Sequence, residues 1–397
     1  MTPALAHELV LPCGVVLPNR LLKAATSEAF ATEHQLPTRS HAAIYARWSR
    51  GGVGLQVTGN VLVDGSCRIA RGDVAIGDAR ALPAFRTWAR SVAAPGSLFV
   101  QLNHPGRQSP RMLTREPVAP SSIAKKPAAL FARARAQSSR EIESLVSRFA
   151  DAAVFVEAAG FAGVQLHAAH GYLAHQFLST RTNHRDDAWG GSAEARRRFV
   201  VAIIQAIRVR VRPGFAVAVK LDASGVDEAP AREERLDLLA ALQDEGVDLI
   251  ELTGGTYEHE PALGRALGTK RPSRAAFEAY FAPFAEHARK RVKTPLALTG
   301  GFRTSAAMED AIAGGFADVV GLARPLIIDP DLPRRLLAGE RVRIASPTLR
   351  VGSAFIDAAA ELFVHQDAMA ALAEGRPQPP MSSRVHAAVT LARRWSG

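Results

Sequence analysis

The feature of this sequence that most constrains its fold is an alternation of short apolar runs with longer amphipathic stretches. Eight runs rich in valine, leucine and isoleucine recur before residue 340, and each is followed by a segment with helical periodicity or by a loop. Continuous apolar runs of this length are typical of parallel strands that are covered on both faces. Eight such βα units predict an α/β protein, a closed (β/α)₈ TIM barrel, rather than an open doubly wound sheet.

The predicted strands share a nearly continuous apolar character. They are Arg20–Ala24, Val53–Thr58, Ser97–Leu102, Gly163–His167, Ala216–Leu221, Asp248–Leu252, Pro295–Leu298 and Val319–Gly321. The main predicted helices are Thr38–Arg50, Ser138–Ala159, Ala193–Val211, Arg232–Glu245, Ser273–Arg291, Thr304–Ala313 and Asp331–Ala338. The helix from Ser138 has the clearest limits, because Ser138 and Glu141 have the spacing of a capping box and Gly160 follows the last residue.

Two segments exceed what a minimal barrel needs. The stretch 103–137 contains five prolines and is too long for an ordinary connection, so we expect a functional loop over the strand ends. After residue 340 the sequence predicts further helix, a break at RPQPPMSS, and a last helix. We therefore divide the chain into a barrel over residues 1–340 and a C-terminal helical extension over residues 341–397, which would pack on the barrel or on a partner subunit.

Charge and cysteine usage argue against several other classes of protein. The formal net charge is +11, but the arginines are scattered and form no basic run interleaved with aromatic residues, so we expect no nucleic-acid partner. The two cysteines, Cys13 and Cys67, form no CxxC pair, which argues against a disulfide framework and a cysteine-ligated cluster. No signal-like start and no apolar run of about eighteen residues is found, so we expect a cytoplasmic protein without a membrane partner.

Polar residues fall where the predicted strands end, which is where barrel enzymes carry their reactive groups. They are Ala25-Thr26-Ser27 after strand 1, Asn60 after strand 2, Gln101 in strand 3, His167, His170 and Tyr172 after strand 4, and Lys220 in strand 5. A single residue of this kind is about as often a satisfied polar group as a functional one. The whole set therefore carries the inference, and no member carries it alone.

The turns after strands 7 and 8 predict a phosphate site. Gly300 and Gly301 would leave backbone N–H groups free to approach a phosphate, and Arg324, next to Ala323, could bind it through two N–H groups. Barrels often hold a phosphate at this place. The alternative is that the glycines only make a tight turn and that Arg324 pairs with a surface acid. No GxGxxG follows a predicted strand, so the fingerprint of a Rossmann dinucleotide site is missing.

The two histidines and the tyrosine after strand 4 admit two interpretations. His167, His170 and Tyr172 could bind a carbonyl oxygen and donate a proton. Alternatively, His104 could join His167 and His170 as zinc ligands with one position open for hydroxide. The bridging carboxylate or lysine that is common in metal-dependent barrels is not evident, so we expect no metal and keep a zinc-dependent barrel hydrolase as the alternative.

One long run carries the most specific signal. HAAHGYLAHQFLSTRTNHRDDAWGGSAEARRRF, residues 167–199, resembles the signature of the old yellow enzyme family, the NADH:flavin oxidoreductase / NADH oxidase family. Further similar segments, in the same order, are LPNRLLKAATSE, GGVGLQVTGN, VQLNHPGRQ, LTGGF and GLARPLIIDPDLPRRL. Together they span about residues 5–340. The His-His pair and HPGR resemble the barrel half of 2,4-dienoyl-CoA reductases, although the cysteine cluster of those enzymes is absent here.

The resemblance implies FMN as the cofactor, with NADPH or NADH as the reductant. Ala25–Ser27 would pack along the flavin edge, with Ser27 near the C4 carbonyl. Asn60 and Gln101 would form hydrogen bonds with the pyrimidine part of the ring, and Lys220 would place a positive charge near N1. The phosphate would lie at the site predicted after strands 7 and 8. Alanine replaces a frequent proline at Ala25, and lysine replaces a frequent arginine at Lys220, so flavin packing would differ in detail.

The resemblance also implies roles for the strand 4 cluster. His167 and His170 would bind the carbonyl oxygen of a substrate, and Tyr172 would protonate its α-carbon while hydride moves from flavin N5 to the β-carbon. NAD(P)H would use the same pocket, which predicts ping-pong kinetics. We therefore expect an ene-reductase that acts on a small activated alkene such as an α,β-unsaturated carbonyl. A non-catalytic flavin-binding barrel remains a second alternative, and a homo-oligomer is compatible with the extension.

Overall fold

Residues 3–93, 98–125, 127–226, 229–254, 278–345, 349, 354–381 and 383–396 are described by the computed structural model. Eight parallel strands form one closed sheet. They are β1 (Leu21–Lys23), β2 (Leu55–Leu62), β3 (Leu98–Asn103), β4 (Gly163–Ala168), β5 (Ala216–Asp222), β6 (Leu249–Thr253), β7 (Leu296–Thr299) and β8 (Val319–Leu322). Each pairs in parallel with the next, and β8 pairs with β1, which closes the cylinder. The predicted TIM barrel is confirmed.

Helices cover the outside of the barrel and extend past it. They are α1 (Arg39–Arg50), α2 (Leu82–Ala89), α3 (Ser139–Ala159), α4 (Leu173–Leu178), α5 (Ala193–Arg208), α6 (Ala231–Asp244), α7 (Ala282–Arg291), α8 (Ser305–Ala313), α9 (Arg324–Ile328), α10 (Leu332–Leu337), α11 (Ala354–Ala373) and α12 (Arg384–Ser396). The capping box predicted for α3 is present, because Ser138 Oγ accepts the N–H of Glu141 and the Glu141 carboxylate accepts the N–H of Ser138.

Most predicted helices agree with the structure within a few residues at each end, with one exception. The helix predicted from Ser273 begins only at Ala282, and Pro283 lies in its first turn, where proline is well tolerated. The short helices α2, α4 and α9 were not predicted. Ser97, residues 273–277 and parts of the predicted loop and extension lie outside the described residues.

Strand β2 continues to Leu62 because it contains a bulge between Val57 and Asn60. The extra residue shifts the alternation of the strand by one position. Before the bulge, Leu55 and Val57 belong to the cluster inside the barrel, whereas Val61 after the bulge belongs to the cluster under the helices. Asn60 is therefore turned toward the inside of the barrel.

The inside of the barrel has an apolar half and a polar half. Its apolar half lies at the amino ends of the strands and contains Leu22, Leu55, Val57, Phe99, Ala216, Ala218, Leu249, Ala297 and Val319. A hairpin of Leu9–Val10 with Val16–Leu17 closes this end, because Leu11 and Leu17 join the same cluster. Two residues further along four of the strands, the same inward face carries Gln101, Lys220, Glu251 and Thr299. Polar groups therefore collect at the carboxyl ends of the strands.

The segment after β3 lies beside the end of β4. The N–H of Leu173 donates to the carbonyl of His104 at 3.0 Å, and Gln176 Nε2 donates to the carbonyl of Pro105 at 3.2 Å. Further along, Val118–Ala119 pairs with Arg135–Ala136. These contacts hold the first part of the proline-rich segment against α4, next to the histidines that follow β4.

The described part of the C-terminal extension packs on the barrel of the same chain. Helix α11 contacts α1 and α9, and α12 contacts α11. Ala368 and Met369 of α11 belong to the main core cluster, whereas Val364 and Ala387 belong to a smaller cluster between the last two helices. Any contact with a partner subunit remains a prediction. Over the described ranges, no helix is both long enough and apolar enough to cross a bilayer.

Candidate active site

Four buried, inward-facing side chains form a continuous polar chain across neighbouring strands. Gln101 Nε2 donates to Gln165 Oε1 at 2.7 Å, and Gln165 Nε2 donates to Glu251 Oε2 at 2.8 Å. Lys220 Nζ lies 2.8 Å from Glu251 Oε1. Because an ionised carboxylate can only accept, Glu251 fixes the direction of both amide groups. The amide oxygen of Gln101 therefore points away from Gln165.

Glu251 is ionised within this row of hydrogen-bonded side chains. Burial alone would raise the pKa of Glu251, but the charge of Lys220 and hydrogen bonds from Lys220, Thr299 and Gln165 lower it below its ordinary value. The charge of Lys220 at the inner face of the site is therefore balanced by a buried carboxylate. Sequence reasoning found Lys220 and missed Glu251 and Gln165, although a charged residue in the apolar strand LIELT was a usable signal.

The residues at the end of β4 form a compact cluster. The ring centroids of His167 and His170 lie 5.1 Å apart, and those of His167 and Tyr172 lie 4.7 Å apart. Lys220 stands beside His167 in the register of β5 with β4. The structure thus brings all three predicted catalytic residues together and places the predicted flavin-binding lysine next to them.

Both histidines of this cluster are neutral near pH 7. Burial lowers the pKa of His167 well below its ordinary value, and the charge of Lys220 acts in the same direction. Burial likewise lowers the pKa of His170 to about 3. A neutral imidazole has one N–H to donate. The pair can therefore offer hydrogen bonds to an oxygen, but it does not supply the charge or the spare proton of an imidazolium.

An unusual backbone turn positions His170. Its φ is 57°, in the left-handed region, and Gly171 follows with a φ of 80°. The N–H of Gly171 donates to His175 Nδ1 at 2.9 Å, and the N–H of Tyr172 donates to the carbonyl of Ala169 at 3.2 Å. Non-glycine residues in this region are uncommon and cluster at functional sites. Sequence reasoning missed His175, which holds the turn from α4.

Asn60 and the loop after β1 lie on the opposite side of the barrel mouth from the end of β5. Asn60 pairs with Gln101 in the register of β2 with β3. Among the described residues, its buried Oδ1 has no hydrogen-bond partner. The buried carboxylate of Glu28 accepts the N–H of Gly59 at 3.1 Å and the hydroxyl of Tyr45, which ties the loop containing Thr26 to β2.

The predicted phosphate corner lies at the ends of β7 and β8. Gly300 and Gly301 have φ values of 130° and 88°, a backbone region that favours glycine. Ala323 precedes α9, and Arg324 begins it. The NH1 group of Arg324 lies 3.4 Å from Glu361 Oε2 on α11. Arg324 therefore has an acidic partner, as the alternative interpretation of the sequence expected. A guanidinium has five N–H donors, so this contact leaves donors for a phosphate.

These residues fit FMN. Asn60 Oδ1 is a buried acceptor that needs a donor, and the fixed amide of Gln101 stands next to it. Lys220 supplies a buried positive charge on the inward face of β5. The glycines and Arg324 suit a phosphate. The loop after β1 lies between these two groups of residues, since β1 pairs with both β8 and β2. The structure thus gathers every residue predicted for the cofactor at one end of the barrel.

The zinc alternative rests on His104, His167 and His170. His104 Nδ1 accepts the N–H of Gly106 at 3.1 Å, and burial lowers the pKa of His104 to about 4. In the part of the chain that the structure describes, no group of three histidine, cysteine, aspartate or glutamate side chains is arranged to hold a metal ion. His104 is therefore engaged at the start of the proline-rich segment.

Comparison with known proteins gives the family. The model of the NADH:flavin oxidoreductase / NADH oxidase family matches residues 13–342. The chain is 38% identical over 367 residues to the NADH-dependent flavin oxidoreductase iliE of Hypocrea jecorina, covering 86% of this chain and 90% of that protein. It is also 38% identical over 369 residues to iliE of a Neonectria species, but spans only 48% of that longer relative.

Comparison of the fold with solved structures supports the same family. An old yellow enzyme homologue from Zymomonas mobilis superimposes with a TM-score of 0.73 at 26% identity, covering 87% of this chain and 95% of that one. The matched region contains the barrel and all of the strand ends described above. The chain therefore belongs to the NADH:flavin oxidoreductase / NADH oxidase family, the old yellow enzyme family predicted from its sequence.

Proposed function

We propose that this protein is an FMN-dependent ene-reductase that uses NADH or NADPH to reduce a small alkene conjugated to a carbonyl, nitro or similar group. The observation that carries the proposal is the cluster of two neutral imidazoles and one buried phenol at the end of β4. Family membership supports the flavin and argues against a zinc-dependent hydrolase. When bound, FMN takes hydride from the nicotinamide and gives it to the substrate.

The histidines would bind and polarise the substrate. As neutral donors, His167 and His170 would each offer one N–H to the same oxygen and would stabilise the negative charge that develops there. Because their pKa values are lowered, neither ring holds a second proton near pH 7. The proton for the α-carbon must then come from another group. Tyr172 is only 2% exposed and packs edge-on against His167, so its phenol would be that donor.

The remaining predicted residues would hold the cofactor. Asn60 and Gln101 would form hydrogen bonds with the pyrimidine edge, and Lys220 would place a positive charge near N1, with Glu251 as its counter-ion. The loop Ala25–Ser27 would line the edge of the ring. The phosphate would be held by Gly300, Gly301, Ala323 and Arg324.

The first experiment is a spectrum of the purified protein before and after anaerobic addition of NADH or NADPH, followed by a panel of enones. Bleaching of the flavin by either nucleotide, and recovery with an enone, are expected. A bound flavin that neither nucleotide reduces would instead favour the non-catalytic barrel. A folded protein that takes up no flavin would contradict the proposal of an FMN-dependent enzyme.

The second experiment tests the phenol. Tyr172→Phe should slow the oxidative half-reaction by about two orders of magnitude and leave flavin reduction nearly unchanged. Tyr280→Phe removes a phenol outside the cluster, at a side chain that is 41% exposed and lies beside Gly301, and serves as the control for loss of a phenol elsewhere at this end of the barrel. Equal slowing of both half-reactions in Tyr172→Phe would argue against proton donation.

Three further points belong to this proposal. The branch that includes the barrel half of 2,4-dienoyl-CoA reductases remains the predicted relationship, and the cytoplasm remains the proposed location. A homo-oligomer formed through the extension is supported by Val385 and Val389, which lie one turn apart on α12 and are 75% and 52% exposed. Sedimentation velocity over a range of concentrations would test it, and a single monomeric species throughout would contradict it.

A further inference from the structure

Helix α11 of the extension crosses the ends of β8 and β1, where the cofactor residues lie. At one end, Glu361 Oε2 is 3.4 Å from the NH1 group of Arg324. At the other end, Gln366 Nε2 donates to the carbonyl of Ser27 at 3.2 Å, and the Thr26 hydroxyl lies 3.7 Å from Met369 Sδ. Met369 lies eight positions after Glu361 in the helix, which is a span of about 12 Å. The helix thus reaches both the phosphate corner and the loop at the ring edge.

This helix is firmly seated on the barrel. Gln366 and Met369 are 3% and 1% exposed, and Met369 belongs to the main core cluster. Contacts with α1 and α9 support the same helix on either side. The position of α11 is therefore set by packing. Its contacts with Thr26 and Ser27 are made by buried side chains, whereas the side chain of Arg324 at the contact with Glu361 is 40% exposed.

The phosphate corner contains a carboxylate from the extension. Arg324 is paired with Glu361 rather than being left free for a phosphate. Burial raises the pKa of Glu361, while the charge of Arg324 lowers it. The neighbouring His365 is neutral near pH 7, because burial lowers its pKa. A phosphate that binds Arg324 would therefore meet a carboxylate on the same guanidinium.

We propose that α11 supports the FMN site by holding the loop that lines the ring, and that Glu361 competes with the FMN phosphate for Arg324. The inference rests on the proposed role of Arg324 in holding that phosphate. Two anions that share one guanidinium repel each other, so the site binds FMN less tightly than Arg324 alone would allow. At the other end, Met369 and Gln366 fix the loop that lines the ring. The extension thereby sets how readily the protein loads and releases its flavin.

The proposal is tested by titrating flavin-free, full-length protein with FMN and with riboflavin, which lacks the phosphate. Flavin fluorescence gives the dissociation constants without any turnover. Glu361→Gln should tighten FMN binding by about three- to tenfold at low salt and leave riboflavin binding unchanged. Glu374→Gln removes the same charge just beyond the end of α11, where the side chain is exposed, and should change neither constant.

The ring end is tested in the same assay. Met369→Ala should weaken binding of both FMN and riboflavin, because the loop containing Thr26 loses its support, whereas Met369→Leu keeps the volume and should retain both affinities. The thermal midpoint of each flavin-free variant verifies that it is folded.

Each part of the proposal fails on a separate result. An unchanged or weaker FMN affinity in Glu361→Gln, or an equal change for riboflavin, overturns the competition. Unchanged affinities in Met369→Ala overturn the supporting role of α11 at the ring end. If Arg324→Ala binds FMN as well as the unmodified protein does, the phosphate assignment itself fails, and that result is distinct from a failure confined to Glu361.

Discussion

Replacing Glu251 with glutamine should destabilise the flavin-free protein more than any other single charge removal at the site. The side chains of Glu251 and Lys220 are 0% and 4% exposed, and their charged atoms lie 2.8 Å apart. At an effective dielectric constant of about 20, two unit charges at that distance attract by about 6 kcal/mol. Much of this only offsets the cost of removing both ions from water. Leaving Lys220 buried and unpaired should therefore lower the free energy of unfolding by about 3–5 kcal/mol.

The assay is urea unfolding of the flavin-free protein at pH 7, with linear extrapolation to water. A double variant, Glu251→Gln with Lys220→Met, should recover most of the loss, because no unpaired ion remains. A loss below about 1 kcal/mol in the single variant, or a double variant no more stable than the single one, would refute the reasoning.

The same substitution has a second expected effect once FMN is bound. Without Glu251, the positive charge of Lys220 is no longer balanced on that face of the site. Extra positive charge favours the anionic reduced flavin, so the midpoint potential should rise. An unchanged or lower potential would mean that this ion pair does not act on the ring.

Three other predictions test the same structure. A Cβ at residue 321 would overlap Thr299 Oγ1, so Gly321→Ala should cost about 1–3 kcal/mol in thermal unfolding, whereas Gly77→Ala has open space and should be neutral. Arg324→Ala should yield protein with little bound FMN, and undiminished occupancy would contradict the phosphate site. Burial lowers the pKa of His41 from 6.5 to about 4, so the unfolded chain takes up a proton first as the pH falls. The stabilising contribution of the neutral His41 to the free energy of unfolding should be fully present above about pH 6.5. It should fall by up to about 3 kcal/mol as the pH falls toward 4, and His41→Gln should make the free energy of unfolding depend less on pH in this range.

The strands and most helices were predictable because their periodicities are local. Continuous apolar runs predict β1–β8. The cap residues Ser138 and Gly160 predict both ends of α3. The bulge in β2 was not predictable, since it depends on how that strand pairs with β3. Helices α4 and α9, with six and five residues, are too short for a periodicity to show.

The site was predictable to the extent that its residues follow strands. All parallel strands of a barrel end on the same side, so His167, Lys220 and Arg324 had to meet there. Glu251 lies within its strand and could have been found by counting two residues from the inward-facing Leu249. Glu361 could not have been found, because its contact with Arg324 depends on how a distant helix docks.

The left-handed turn at residue 170 limits which side chains can serve at this position, where we propose that a substrate oxygen binds. Glycine, asparagine, aspartate and histidine adopt that backbone most readily, and branched residues are strained in it. Of these four, only histidine and asparagine offer a neutral side-chain N–H donor. The main chain and the need for a donor together therefore reduce the useful side chains at this position to two. A randomised library at codon 170 would consist mainly of strained variants, and asparagine is the one exchange that keeps both the turn and a donor.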